Sequence, residues 1–386
     1  MIKTDVCIIG AGPSGAATSL MLSNLKISHY IIDKEIFPRD KACGDGLILY
    51  AYKVMKLLGN NLFEEFLNHP KFLHSKRIKL HINNKQHILF SESEDRDMLI
   101  SYAKRIDFDH FLVEHLSETY AQKEFGNGVK SLEEKPAGIL IKLKDGKEIL
   151  AKIIVGADGA QSIVSKKLAN NKIDTKNMST FVTAYFNGVK DIPKGNDAEV
   201  RIIYKNMPLF FYVFPFANGD SNVTLGGNSN QIKKYNINLI DEIENIISTN
   251  ENIQHKFTNA TRIGKWRGWV IPYRFEKQKM IGNRFLLVGD AAGLANAFYK
   301  EGIGTGMMSG VIAARNIERS LKYNDFSESF LKNYEVEIKN EFGKLLKFSF
   351  YMLKISRFKR LFSLVVFIFK KRISKKSFRI IKKRSY

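Results

Sequence analysis

The chain has 386 residues, with 61 Lys+Arg against 39 Asp+Glu, a formal charge of +22, and 44% hydrophobic residues. That apolar share excludes a disordered chain, and 27 glycines without a period exclude a collagen-like one. Two cysteines, Cys7 and Cys43, exclude a disulfide scaffold and a multi-cysteine metal site, and they suit a reducing compartment.

In chain order, residues 4–9 read as a buried strand, followed by a glycine-rich turn and a small-residue helix from about Pro13 to Leu25. Ser28 to Asp33 is a second strand, which completes a βαβ unit. A loop spans Asp40 to Leu49, and Val54 to Leu67 has helical spacing. Ile78, Leu80, Ile82, Ile88 and Phe90 alternate with polar residues, predicting a hairpin closed at Asn83-Asn84. Arg105 to Tyr120 is helical in spacing, and strands follow at Ile139 to Leu143 and Ile149 to Val155. An aromatic, β-rich stretch occupies 178–230, with a helix at Ile237 to Ile247. Phe285 to Val288 is a last buried strand, and a helix runs from about Gly302 to Leu321. Nucleotide-type segments therefore sit at both ends of the body, so the binding domain is expected to be discontinuous.

Three strand tips carry the chemistry. Gly10-Ala11-Gly12-Pro13-Ser14-Gly15 follows a strand and opens a helix. Gly10 permits the turn, Gly12 lets main chain approach a pyrophosphate, and Gly15 lets helix and sheet pack closely. The helix N-terminus stabilises an anion, and Asp33 ends the second strand, where a carboxylate holds a ribose hydroxyl. A purely structural glycine turn is the competing reading. The second tip is Gly156-Ala157-Asp158-Gly159-Ala160-Gln161-Ser162, and the third is Val288-Gly289-Asp290-Ala291-Ala292-Gly293. Asp290 is placed to accept from a second ribose or ribityl chain, while Gly302, Gly304 and Gly306 would admit a flat ring or its phosphates.

These three motifs, in this order, resemble the FAD-binding fingerprints of the p-hydroxybenzoate-hydroxylase-like flavoproteins, and Arg105-Ile106-Asp107-Phe108-Asp109 resembles that group's R-x-x-F-D element. The resemblance covers about residues 1–320. It implies an α/β fold with a discontinuous Rossmann-like FAD-binding domain (1–75, 96–175 and 265–325), a β-rich substrate domain (76–95 and 176–264) and a basic, apolar helical tail (326–386). Within that group, Lys41-Ala42-Cys43-Gly44-Asp45 is similar to the K-x-C-G-G loop of the geranylgeranyl reductases. Phe210-Phe211-Tyr212-Val213-Phe214-Pro215 with Thr224-Leu225-Gly226-Gly227 is similar to their Y-x-W-x-F-P and G-x-G elements, Phe210 standing for Tyr, Tyr212 for Trp and Thr224 for the first Gly. Tyr299-Lys300-Glu301-Gly302-Ile303 resembles their G-E-G-I turn, with Lys300 for the first Gly.

The resemblance implies FAD held by Gly10, Gly12, Pro13, Ser14, Gly15, Asp33, Lys34, Lys41, Cys43, Gly44, Arg105, Asp158, Gly159, Gly289, Asp290, Gly302 and Ile303. It also implies a substrate wall of Phe210, Tyr212, Phe214, Pro215, Gly226 and Gly227. NAD(P)H or another external reductant would act without its own Rossmann domain, since no second G-x-G-x-x-G occurs. The expected function is reduction of carbon–carbon double bonds in a hydrophobic, isoprenoid or lipid-like substrate. The alternatives are a flavin monooxygenase or halogenase, and a membrane-associated flavoprotein with vestigial catalysis. A W-x-W-x-I-P run, the halogenase mark, is absent.

Several residues keep two readings. Cys43 is either a ring-contacting, proton-handling group with a lowered thiol pKa or a small buried loop residue. Phe210, Tyr212 and Phe214 share a strand face and are substrate wall or plain core. Trp266 and Trp269 line the cavity or pack elsewhere. Cys7 is core, and the eight histidines form no metal-type spacing.

From 343 to 386 there is no acid and 15 of the 61 basic residues, so the rest of the chain carries only +7. Lys344, Lys347 and Lys354 form a helical stripe among many apolar residues. An anionic membrane surface is the expected partner, a solvated terminus packed on its own body the competing reading, and nucleic acid the disfavoured one. No leader and no membrane-spanning helix are expected, which places the protein in the cytoplasm, peripheral on the inner face of the membrane.

Overall fold

The second half of the first strand has no polar face: Val6, Cys7 and Ile8 of Ile2–Ile9 are fully buried, as suits a strand covered on both sides. The computed structural model describes residues 1–59, 61–82, 85–91, 100–192 and 196–368. In it, Ile2–Ile9 lies between His29–Asp33 and Glu148–Gly156 and is parallel to both. Phe285–Leu287 extends the sheet beyond Glu148–Gly156, and Ala121–Phe125 extends it beyond His29–Asp33, again in parallel. Segments from both ends of the body thus form one sheet, with their carboxyl ends on one side. The hairpin Val129–Lys135 and Gly138–Leu143 adds to it antiparallel.

Helices Pro13–Asn24 and Ile303–Tyr323 cross with almost nothing between them. A Cβ at Gly310 would lie 2.5 Å from the Ser14 carbonyl oxygen, and one at Gly306 would lie 2.4 Å from the Ser14 hydroxyl. The expected helix across Val54 to Leu67 is instead two, Leu49–Leu58 and Leu62–Asn68, broken at Gly59 in the left-handed region.

The second sheet has seven strands in the order Thr261–Pro272, Met178–Asn187, Ser221–Asn228, Pro208–Pro215, Ala198–Tyr204, Arg77–Ile82 and Lys85–Ser91. The last two form the expected hairpin; its turn residues, Asn83-Asn84, lie outside the described residues. Strand alternation divides Pro208–Pro215 cleanly. Leu209, Phe211 and Val213 pack under the helix Leu239–Thr249, while Phe210, Tyr212 and Phe214 face the opposite cluster. Position 265, read as the return to the nucleotide unit, falls inside the strand Thr261–Pro272. That strand stays in the second sheet because it pairs with Met178–Asn187 along most of its length.

The helix Glu328–Ile355 begins as part of the nucleotide unit. Leu331, Tyr334, Ile338 and Phe342 are fully buried in its core, and the Tyr334 hydroxyl donates to the Leu287 carbonyl at 2.8 Å. Residues 359–368 form another helical segment, which buries Phe362 and Val366 against the Phe210 face of the second sheet. Much of the tail's apolar supply therefore packs on its own body. Its last stretch, 369–386, lies outside the described residues.

A Cβ at Gly15 would lie 1.8 Å from the Gly10 carbonyl oxygen. Gly15→Ala is therefore expected to cost about 3 kcal/mol or more. Gly343→Ala, inside a helix with only Lys339 Cγ nearby at 3.4 Å, should gain roughly 0.5–1 kcal/mol. Denaturant titration of the two variants checks both signs.

Candidate functional site

At the first strand tip the glycines divide their work. Gly10 has φ +104° and sits so close to the neighbouring strand that a Cβ would be 2.5 Å from the Ala157 carbonyl oxygen. At Gly12 a Cβ would meet only guanidinium ends, Arg39 at 3.5 Å and Arg105 at 4.0 Å. The main chain there is open, and it opens the helix Pro13–Asn24, which has no side-chain cap and no acid in its first turn. Asp33 holds the turn from below: its carboxylate accepts from Ala11 N at 2.8 Å and from Glu35 N at 3.0 Å.

Positive charge converges on this cradle. Arg105 forms two hydrogen bonds of 2.6 Å with Asp109, and Arg39 Nη1 lies 2.7 Å from the same carboxylate. One buried acid thus serves two guanidiniums, and Asp109 holds Arg105 firmly in its charged form. Burial, then Arg105, push the Lys41 amine below its ordinary value. Burial pushes the Asp290 carboxyl up, against the pull of Lys41 and Arg105.

From the cradle a cavity of about 280 Å³ runs between the two sheets. Gly12, Pro13, Ser14, Lys41, Cys43, Gly44, Arg105, Gly159, Asp290, Gly302 and Ile303 line it, and so do Phe210, Tyr212 and Phe214. The expected cofactor and substrate residues are therefore brought together for the most part. Trp269 is in the wall and stacks on Phe181 at 5.4 Å, whereas Trp266 packs on the far side of the sheet and donates to Glu244 at 2.7 Å.

Other expected residues stand apart from this cavity. Lys34 is exposed, with its amine 3.7 Å from Glu35. Asp158 accepts from Ile163 N at 2.6 Å, holding the start of the helix Ile163–Lys167, and leaves Oδ1 without a partner. Gly289 has φ +57° and gives room to the Ser14 hydroxyl. Gly304 gives room to Ala51 N and Tyr50, and Gly306 to Ser14, so their lack of side chains serves helix packing. Pro215 ends its strand without entering the wall. Gly226 is covered by the Phe181 ring and Gly227 by Met207, which makes both packing positions.

Cys43 lines the cavity, but its thiol is pushed up, first by burial and then by Asp45, more than Arg105 and Lys41 pull it down. The expectation of a lowered thiol pKa is corrected accordingly: burial and Asp45 move the Cys43 thiol the other way.

Three ionisable wall residues were not anticipated. Burial pushes Asp45 up to about 7, and Glu301 likewise, although Gly304 N donates to Glu301 at 2.5 Å. Burial pulls the Lys300 amine down to about 7. That amine donates to Ser179 Oγ at 2.9 Å and to the Ala297 carbonyl, and lies 5.0 Å from the Phe210 ring centre. Asp45 and Lys300 have φ of +61° and +60°. Each stands where the reductase pattern carries glycine, and that departure was the available signal.

The family described as FAD binding domain matches residues 3–349. The chain belongs to this family. It is 25% identical to the 1H-pyrrole-2-carbonyl-[peptidyl-carrier protein] chlorinase of Pseudomonas fluorescens, over 87% of this chain and 80% of that one. It is also 25% identical to digeranylgeranylglycerophospholipid reductase 1 of Methanosphaera stadtmanae, over 86% of this chain and 80% of that one. Among solved structures it is similar to a geranylgeranyl bacteriochlorophyll reductase-like protein from Thermoplasma acidophilum, with a TM-score of 0.83 at 17% identity, covering 100% and 98% of the two chains.

The residues present fit FAD. The open main chain at Gly12 leaves room for a pyrophosphate beside Arg39 and Arg105, and the joined cavity leaves room beyond it for a flat ring. Because Gly12 has φ −67° and ψ 179°, a side chain is tolerated there in the free protein. Gly12→Val should keep stability within about 1 kcal/mol and abolish FAD retention. Visible absorbance and thermal melting of the purified variant check the two halves separately; a yellow, FAD-loaded variant refutes the second.

Proposed function

We propose that this FAD-dependent oxidoreductase reduces carbon–carbon double bonds of a hydrophobic, isoprenoid or lipid-like substrate. The observation that carries the reading is the continuity of the cavity: an aromatic face of Phe210, Tyr212 and Phe214 with Ile78, Leu80 and Ile202 leads to the glycine-lined cradle. Such a wall holds a long unsaturated chain and excludes water from the reacting carbons. Lys300 supplies a polar amine among those apolar groups, which suits a substrate with a polar head. Bound FAD, reduced by NAD(P)H or another external donor, supplies the hydride. The protein's own residues hold the alkene and hold the proton that completes the reduction.

Oxygen activation is the second reading, supported by the likeness to the pyrrolyl chlorinase. Against a halogenase stands the spacing of the two tryptophans. A W-x-W run puts both indoles on one face of a strand, whereas Trp266 and Trp269 are three apart and face opposite clusters. A vestigial flavoprotein is the third reading.

Anaerobic incubation of the dithionite-reduced protein with polyunsaturated lipids and quinones separates them. Reoxidation of the flavin, with two hydrogens gained by the product, is expected. Inertness without oxygen, and one oxygen atom gained in its presence, would replace the reductase by a monooxygenase. No reaction in either condition would leave a vestigial protein.

The proposed partner of the tail is an anionic lipid surface. No helix among the described residues is long and apolar enough to cross a membrane. Phe358, Leu361, Leu364 and Phe367 are exposed beside the exposed bases Arg357, Lys359 and Arg360, a composition suited to an interface. Each base near such a surface contributes roughly 1 kcal/mol before screening. Removing 343–386 would also remove buried core, so the test is the double variant Leu361→Asp, Phe367→Asp. Loss of binding to anionic vesicles with retained FAD is expected, and undiminished binding refutes the anchor.

A further inference from the structure

The loop between Asp290 and Gly302 presents one amide to the cavity with half of its hydrogen bonding unused. Asn296 lines the cavity and keeps 3% of its surface open. Its Oδ1 accepts from Phe298 N at 3.1 Å and from Tyr299 N at 2.8 Å. Turning the amide round would set its NH2 against those two N–H groups, so Nδ2 is fixed as the other end. Among the described residues Nδ2 has no hydrogen-bond partner, and it is not sealed, whereas Asp45 Oδ1 and the Tyr212 hydroxyl, also unpartnered in this wall, are closed off. The main chain that carries it is pinned. Asn296 N donates to the Glu301 carbonyl at 2.7 Å, Lys300 N to the Asn296 carbonyl at 3.0 Å, and Ala297 N to Ser349 Oγ at 3.2 Å.

We propose that Asn296, through Nδ2, donates a hydrogen bond to an oxygen of the substrate and so positions it. This rests on the reductase reading and narrows its substrate to an unsaturated lipid with an oxygen-bearing head. The other polar groups of the same loop are engaged. The Lys300 amine donates to Ser179 Oγ and to the Ala297 carbonyl, and Glu301 Oε1 accepts from Gly304 N and Thr305 N. Asn296 Nδ2 is the preformed donor that remains. A hydrocarbon laid over it would strip it of water and offer no acceptor, whereas a hydroxyl or carbonyl oxygen would satisfy it.

The loop also says where the oxygen is held. Asn296 stands midway in the chain between Asp290 and Gly302, two residues of the cradle end of the cavity. Its near neighbour Phe298 meets the Phe210 ring edge-on, with centres 5.7 Å apart, at the aromatic end. The head oxygen therefore sits where the two ends join, and the chain runs on along Phe210, Tyr212 and Phe214. Asn296 is a positioning residue: one rigid hydrogen bond limits how the double bonds lie against the flavin. A single donor in a largely apolar wall separates a ligand with the oxygen from one without it by about 10- to 100-fold.

The test uses the full-length, FAD-loaded protein and two detergent-dispersed probes, a polyprenyl alcohol and the hydrocarbon of the same chain length that lacks the oxygen. Binding to the oxidised protein is read from the flavin difference spectrum, and turnover from the reduced protein without oxygen. The parent should bind the alcohol about 10-fold or more tighter than the hydrocarbon. Asn296→Asp keeps an oxygen for Phe298 N and Tyr299 N, which also favour its charged form, and puts a second oxygen where the NH2 was. That variant is expected to retain FAD, to lose the preference for the alcohol, and to raise its KM about 10-fold or more with less change in kcat. A role confined to holding the loop would leave the preference unmoved, because the loop's acceptor is still there. An Asn296→Asp protein with the parent's preference overturns the proposal and leaves the reductase reading intact. So does a parent that binds the two probes equally, a result that does not depend on how the variant folds. A parent that leaves the double bonds of both probes untouched brings down the reductase reading itself.

Discussion

Main chain lies against main chain at the carboxyl ends of three parallel strands, and the site depends on that approach. Gly10 rests on the carbonyl of Ala157, Gly15 rests on Gly10, and Gly289 shares the Ser14 side chain with Gly306. These distances leave no room for a Cβ, so the helices Pro13–Asn24 and Ile303–Tyr323 are seated by backbone shape. Gly12 is the exception in the set: it is open, because its neighbour is to be a ligand. Packing glycines and binding glycines look alike in a motif and differ only in what a side chain would strike.

The second constraint is electrostatic. Asp109 carries two arginines beside the cradle, so a net positive charge remains for an anion. Further along the cavity, the solvating partners run out. Asp45, Lys300 and Glu301 all have pKa values driven towards 7 by burial. Two of them sit in left-handed backbone that costs a non-glycine residue about 1 kcal/mol or more. A chain that keeps ionisable side chains at positions where glycine is easier is retaining them against a local cost, which is what a working site looks like.

Much of this is legible in the sequence. The strand and helix of the first βαβ unit, the discontinuity of the nucleotide unit and the inward face of Phe210, Tyr212 and Phe214 all follow from local patterns with a fixed period. What escaped was non-local. Thr261–Pro272 has little alternation in its exposed first half, and it is a strand because Met178–Asn187 offers it a ladder. Gly226 and Gly227 stood for substrate contact in the motif, but Phe181 and Met207 from neighbouring segments fill the space over them. Cys43 had Lys41 beside it in sequence, as a reactive thiol does, but the fold buries it, and burial together with Asp45 outweighs Arg105 and Lys41.

The end of the described chain ties the cavity to the surface. Residues 359–368 turn Phe362 and Val366 inward against the same cluster that holds Phe210 and Phe298, while Leu361, Leu364 and Phe367 point out. A helical segment apolar on both sides is at home where both sides are shielded from water. One side is covered by the second sheet. The other, with Leu361, Leu364 and Phe367, is open, so the segment stands between the Phe298 wall of the cavity and the outside of the molecule. The bases Arg357, Lys359 and Arg360, at and just before the start of the segment, are exposed as well, so positive charge adjoins its open apolar side.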